Sequence, residues 1–588
     1  MKKIRYIYVI LLIAILALPQ FSCNYLDMPL ISTSINKDSI FSKRINAEQF
    51  LWDTYATIMP FGIPKYTNVY NVPGKGVYDL DQIERGIRAA ITDECNLSTG
   101  YAPTTEMNLV GYSAINPRHV ETKFNCCYIG IRKAFTFIEN IDMAKDISQE
   151  EKDQMKSECK TLIALRYFTL IRTFGGVPLV KRALEVNEDF NISRSSLQEC
   201  IDYIVQLCDE SMNLPDFYDT RWRGRVTKGV ALAVKARTLL YAASPLFNSA
   251  EPVIGYGNST HNSYLCLNGY DHKRWKAAYE ANLAVIDWAR DYGHVSMVNT
   301  GNPFDDYGNA TSTRDNSEVL LANKVIVGQT GFTTHYLPRL SNFNKGNSIL
   351  VNSLSKFYKA DGTDQTWPAL NEVRDFSDYV TRMHEMEPRF RVMAWVFGEK
   401  PAMCPDRYNW DYIVTGEKSG DIQGAAVMMK YTYKYQGQTD MDFPIFRLAE
   451  FYLNYAEALN EYTPNSSLAY EALNVVRQRA GLPPILETDP RYKTQEAFRQ
   501  LVHRERDIEL FGEDHRIYDV RRWKIAHKPG IIGGPMVGFL LETNNEKNNY
   551  TTYKPFVFEE RFWSDKMYYH PFPQAEVNKG YILQNPGY

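Results

Sequence analysis

The stretch that decides the fold is Leu448-Ala449-Glu450-Phe451-Tyr452-Leu453-Asn454-Tyr455-Ala456-Glu457-Ala458-Leu459, then Thr463-Pro464-Asn465-Ser466, then Leu468-Ala469-Tyr470-Glu471-Ala472-Leu473-Asn474-Val475-Val476. Leu448, Phe451, Tyr452, Tyr455, Ala456 and Leu459 recur at spacings of three and four, which puts them on one face of a helix. The Thr-Pro-Asn-Ser step is a turn with its own capping residues. Leu468, Ala469, Ala472, Leu473 and Val476 line the returning helix, and Gly481-Leu482-Pro483-Pro484 ends it.

From Leu448 to Gly481 the advance is 33 residues, close to the roughly 34-residue period of tetratricopeptide helical hairpins. Small alanines alternate with large aromatics as such packing needs, although the repeat's full signature is absent. The reading is therefore an α-solenoid-like array or an unrelated helix pair. Working outward, Cys159, Ile163, Tyr167, Leu170, Ile171 and Phe174 stripe a helix over 151–174, which Gly175-Gly176 and Pro178 stop. Thr227 is the expected N-cap of an alanine-rich helix ending near Ala243, and Pro245 closes it. Helical patterning fades between about Glu251 and Asp442, although Trp275 and Trp288 sit in helical patterns. Asp305-Asp306-Tyr307-Gly308-Asn309 reads as a turn, and Pro529 to Asp565 as a second irregular stretch.

The chain has 588 residues, 44% hydrophobic and 23% charged, the composition of a globular protein. Lys plus Arg is 66 and Asp plus Glu 69, a net charge of −3, so nucleic acid is excluded as the main partner for want of a basic field. Tyrosine leads the aromatics, with 40 Tyr against 29 Phe and 9 Trp. It suits both wet recognition surfaces and core packing. Cysteines are sparse and form no C-x-x-C, and adjacent Cys126-Cys127 reads as buried apolar packing. No phosphate-binding loop, dinucleotide fingerprint, nucleophile elbow or H-E-x-x-H pair occurs. No cofactor or metal is expected.

At the N-terminus, basic Lys2-Lys3-Ile4-Arg5 precedes the uncharged run Tyr6–Leu18 of 13 residues. That run is short of the ~20 residues a span needs and reads as a signal peptide over 1–22. Ser22-Cys23 resembles a lipoprotein lipobox, with Gln20 and Phe21 departing from the usual pattern. Cys23 is either the lipidated first residue or a free thiol after ordinary cleavage.

One charged segment, His503-Arg504-Glu505-Arg506-Asp507-Ile508-Glu509-Leu510-Phe511-Gly512-Glu513-Asp514-His515-Arg516, continues through Asp519-Val520-Arg521-Arg522-Trp523. Opposite charges interleave at helical spacing. A catalytic reading takes Glu505 or Glu509 as acid or base; the favoured reading is a salt-bridged helix pair.

That segment resembles a hallmark of the SusD/RagB family of outer-membrane nutrient-binding lipoproteins. So do Cys23-Asn24-Tyr25-Leu26-Asp27, Thr92-Asp93-Glu94, Leu165-Arg166-Tyr167-Phe168 with Phe174-Gly175-Gly176-Val177-Pro178, Pro444-Ile445-Phe446-Arg447, and the terminal Gln584-Asn585-Pro586-Gly587-Tyr588. Tyr452, Tyr455 and Phe572 depart from that family's commoner aliphatics. The resemblance implies a mainly α fold, in which tetratricopeptide-like hairpins form a scaffold and a loop-rich insertion region packs over it. It implies a single domain over 23–588, helical over about 23–250, loop-rich over about 251–442, and helical again with a tail over about 443–588. It implies a surface-exposed, lipid-anchored outer-membrane protein that is no enzyme, binds oligosaccharide, and partners a SusC-like TonB-dependent transporter.

Sugars offer apolar C–H faces ringed by hydroxyls, which flat aromatic rings and Asn, Asp or Arg side chains recognise. On the loops that the family uses for ligands stand Asn96, Tyr101, Tyr112, Phe332, Tyr336 and Phe343, with Asp79 and Arg85 as candidate polar contacts and Trp222, Trp367 and Trp410 as further loop candidates. Trp275, Trp288 and Trp523 are expected in the core. The alternatives are a peptide or other nutrient cargo, a secreted glycoside hydrolase with paired carboxylates, and a scaffold that binds only proteins.

Overall fold

The computed structural model describes residues 37–59, 70–72, 76–78, 88–98, 103–115, 123–185, 187–326, 346–399, 422–431, 440–544 and 549–588. Its frame is a run of helices: α1 (Arg44–Ile58), α2 (Lys123–Asn140), α3 (Gln149–Phe174), α4 (Leu197–Asp209), α5 (Lys228–Ala243), α6 (Lys273–Asp291), α7 (Pro303–Ser312), α8 (Leu448–Tyr462), α9 (Ser467–Arg479), α10 (Gln495–Glu509) and α11 (Arg516–Arg522). Each of α1 to α5 packs on the next, α6 packs on α8, and α8 packs on both α9 and α10. The result is a continuous array of helical hairpins.

Local chemistry sets the boundaries. Ser148 and Ser196 open α3 and α4 with reciprocal capping boxes to Glu151 and Glu199. Gly175, at φ +78°, ends α3, where a Cβ would lie 2.4 Å from the Tyr264 carbonyl oxygen. Buried Ala231, Ala233 and Ala236 keep α5 close to its neighbours, and Asn454 of α8 donates to Asn282 of α6 at 3.0 Å. The core includes Cys126, Cys127, Tyr167, Tyr455, Trp275, Trp288 and Trp523, with Tyr452 packed at its margin.

Thr227 occupies the N-cap of α5 as expected, although its hydroxyl caps nothing. Three local expectations need correction. The Asp305 segment is helix α7 instead of a turn: Asn302 caps it and Pro303 takes the first position, a helix start that outweighs the acidic run. The fading of helical pattern after Glu251 hides α6, the helix that joins the N-terminal and C-terminal hairpins. Its surface lysines and acids dilute the apolar stripe of Trp275, Ala278, Val285 and Trp288. The irregular stretch after Pro529 contains a long antiparallel hairpin.

The strands are short apart from two pairs. They are β1 (Tyr70–Val72), β2 (Gly76–Tyr78), β3 (Cys95–Leu97), β4 (Val319–Ile326), β5 (Asn347–Ile349), β6 (Arg374–Asp375), β7 (Ala394–Trp395), β8 (Ala426–Met428), β9 (Asp440–Arg447), β10 (Gly534–Thr543) and β11 (Tyr550–Arg561). One sheet has the order β3-β5-β8-β7, and β10-β11-β6 forms another. β4 and β9 pair antiparallel, with Lys324 opposite Asp442, and β9 runs directly into α8. Among the described residues no helix is long and apolar enough to cross a membrane.

Candidate functional site

Glu505 and Glu509 lie on α10, one turn apart, and both are fully buried. Arg389 Nη1 meets Glu505 Oε1 at 2.7 Å, and Arg477 Nη1 meets Oε2 at 2.8 Å. Glu509 is held by Arg447 at 2.6 Å, by Arg389 at 3.1 Å and by Arg479. Arg447 also binds Glu318 at 2.8 Å and Glu513 at 2.7 Å, while Lys430 binds Glu513 at 2.6 Å. Burial pushes both carboxyls upward in pKa, but the surrounding guanidinium groups outweigh it and hold them below the usual carboxylate range. Carboxylates kept charged and sealed from water serve poorly as a general acid. The segment is a salt-bridged core, extended through Arg506–Asp519 and Arg522–Glu457, at 2.7 and 2.6 Å.

Four of the eleven candidate ligand contacts fall among the described residues. Asn96, on β3, is buried; its amide donates to Gln423 at 2.8 Å and its oxygen accepts from Arg561 at 3.2 Å. Both ends of the side chain are used in joining the sheet to its neighbours. Tyr112 is a correction: it is buried, its ring stacks on His570 at 4.2 Å and its hydroxyl accepts from Arg521 at 2.6 Å. A ring enclosed on this scale offers no face to a sugar. Trp367 is half-buried, tilted against Phe539 at 5.7 Å. Asp79, Arg85, Tyr101, Phe332, Tyr336, Phe343 and Trp410 lie outside the described residues, as does Cys23.

Trp222 differs from these in having a partner that builds a surface. Asp219 accepts from the Arg221 and Trp222 backbone N–H groups and fixes the short turn Thr220–Trp222. The half-buried Trp222 ring then stacks on Trp52 of α1 at 5.5 Å and 22°. Arg225 lies over Trp52 at 5.3 Å, Trp222 at 5.7 Å and Tyr218 at 4.6 Å. Behind it Glu158 of α3 accepts from Arg225 Nε at 3.1 Å and from the Tyr55 hydroxyl. Tyr55 in turn accepts from the Val226 N–H at 3.0 Å. The ledge of two indoles thus rests on a buried network that fixes its orientation. Trp52 was not among the sequence candidates; it stands on α1 and meets Trp222 only through the tertiary fold.

A ledge of this kind takes flat, apolar faces. Asp219 and Arg221 are exposed groups suited to hydroxyls, and the Arg221 guanidinium lies over the Trp222 ring at 4.9 Å. Comparison with known proteins places the whole. The chain is 41% identical over 402 residues to a SusD-like protein, P25, of Formosa agariphila, an alignment spanning 68% of this chain and 69% of that protein. It belongs to the SusD/RagB family.

Within that family, residues 341–588 match the model described as SusD family, and residues 65–240 match one described as "Starch-binding associating with outer membrane". A SusD-like protein of Bacteroides fragilis superposes with a TM-score of 0.73 at 24% identity, covering 94% of this chain and 99% of that one. A laminarin-binding SusD-like protein superposes with a TM-score of 0.58 at 18% identity, covering 93% and 100%. These likenesses establish the SusD fold. The family motifs also gain a physical meaning here: Asp93 of the Thr-Asp-Glu element binds Arg516 at 2.7 Å, and Asn585 of the terminal motif donates to the carbonyls of Phe174 and His570 at 3.0 and 2.7 Å.

Proposed function

We propose that this protein captures a neutral oligosaccharide or polysaccharide at the cell surface and delivers it, without catalysis, to a SusC-like TonB-dependent transporter. The observation that carries this reading is the Trp52–Trp222 ledge on a chain of this family. Stacking on C–H faces needs no ligand charge, which suits a protein of net charge −3. The family description and the laminarin-binding relative support a glycan as cargo. Lipidation at Cys23 anchors the chain to the outer membrane, facing outward. Tyr101, Phe332, Tyr336, Phe343, Trp410, Asp79 and Arg85 belong to the proposed ligand face with Trp222.

The test is titration of the purified protein against starch, laminarin and a wider polysaccharide panel, repeated with Trp222→Ala, Tyr101→Ala and Tyr336→Ala. Binding to at least one glycan is expected. Trp222→Ala should weaken it about tenfold, equivalent to about 1.4 kcal/mol. A protein that binds no glycan contradicts the reading. In parallel, Cys23→Ala should move the protein out of the membrane fraction; retention there contradicts the anchor.

A further inference from the structure

Arg225 and Tyr218, which meet at the ledge, also line a cleft of about 250 Å³ together with Thr227, Trp288 and residues of the β4–β9 pair. Its construction is specific. Trp288 is fixed by donating to Asp216 at 2.8 Å. Gly224, at φ +101°, leaves room for Lys324, whose Cε would stand 2.9 Å from a Cβ there. Lys324 binds Asp315 at 2.5 Å, and the Asp315 N–H donates to Asp442 Oδ2 at 2.8 Å.

Two residues of this lining, Asp442 and Thr227, each hold a buried oxygen with no hydrogen-bond partner. Asp442 is 2% exposed, and its second oxygen, Oδ1, has no hydrogen-bond partner. The buried Oγ1 of Thr227, which caps nothing on α5, is also unpartnered. An unmet buried acceptor costs about 1–3 kcal/mol, and both residues line the same small space. At the rim Phe217 is 58% exposed and is held edge to face against His294 at 4.7 Å.

We infer that this cleft is a subsite for a single neutral sugar unit, with Phe217 stacking on its C–H face and Asp442 Oδ1 and Thr227 Oγ1 reading its hydroxyls. The inference rests on the glycan reading above and adds a second contact zone beside the ledge. The chemistry selects the ligand class. Asp442 needs a donor, which rejects carboxylates and phosphates. Lys324 and Arg223 stand at the same cleft and disfavour a cation. No group of three or more metal-ligating side chains occurs among the described residues. The volume falls below the roughly 300–1,000 Å³ of sites for drug-sized ligands, so it suits one ring of a longer chain.

The test is calorimetric titration of the full chain with malto- and laminari-oligosaccharides of increasing length, and with free glucose. Asp442→Asn keeps an oxygen for the Asp315 N–H and replaces the unmet acceptor by a donor. Phe217→Ala removes only an exposed ring, and keeps the experiment decisive if the Asp442 variant fails to fold. Each should weaken binding of whichever oligosaccharide the wild type takes by about tenfold. Affinities within twofold of wild type in both variants overturn the subsite and leave the glycan reading standing. A wild type that binds none of these sugars, nor any polysaccharide of the wider panel, overturns both.

Discussion

Glu94 and Asp93 are adjacent carboxylic acids, both buried, with opposite fates. Asp93 is pushed upward in pKa by burial, but Arg516 and Lys356, each at 2.7 Å, outweigh that and keep it charged. Glu94 has no such cation. Burial raises it to about 8, the Gly512 N–H at 2.9 Å opposing and the charge of Asp93 reinforcing the shift. In the unfolded chain a glutamate titrates near 4.3. Between about 4.3 and 8 the folded state therefore holds a proton that the unfolded state has released, and stability falls as pH rises through that window. Glu94→Gln copies the protonated form and removes the fall. Its melting temperature should match wild type near pH 5 and exceed it at pH 9. A difference between the two proteins that does not change with pH would show that Glu94 is ionised throughout.

Among elements, the most consequential junction is where β9 becomes α8, because Arg447 sits there and ties α10 to the body of the protein. It reaches Glu318, Glu509 and Glu513 while 1% exposed. Removing one member of a buried ionic cluster strands the others, at a cost of about 3–5 kcal/mol. Arg447→Met should lower the denaturation free energy by that amount, whereas Lys276→Ala, which breaks the solvent-screened Lys276–Glu280 pair on α6, should leave it close to wild type. Comparable losses in the two variants would mean that the cluster is not the clamp. The same elements show what was legible from sequence. The α8–α9 hairpin announced itself because its apolar residues keep helical spacing and Thr463-Pro464-Asn465-Ser466 marks its turn. The charge interleaving of α10 and α11 was readable for the same reason. The β10–β11 hairpin was not, since register shifts after Met536 and Glu542 break the alternation that marks a strand. At the ledge, Trp222 could be proposed from its residue type and loop context. Its pairing with Trp52, like the cleft around Asp442, depends on contacts between distant parts of the chain that no local pattern records.

Across the whole molecule, the strongest polar ties join residues far apart in sequence. Asp93 pairs with Arg516, Arg237 with Glu450, and Tyr112 with Arg521. Arg194 donates to the Leu583 carbonyl at 2.9 Å. Helix α6 lies between α5 and α8, so the N-terminal and C-terminal hairpins share one packed surface. A chain cut before β9 and α8 would leave Arg237 buried without Glu450, a loss of several kcal/mol, and would take Arg516 from Asp93, leaving it only Lys356. A fragment ending at 442 should therefore remain unfolded, and the intact protein should melt in a single transition with equal calorimetric and van't Hoff enthalpies. Two resolved transitions, or a folded fragment, would instead make the helical halves separate units. One cooperative unit also fits the proposed role. The Trp52–Trp222 ledge draws one ring from α1 and the other from the turn before α5, and its backing network reaches α3. A surface assembled from such distant segments keeps its geometry only while the scaffold as a whole stays folded.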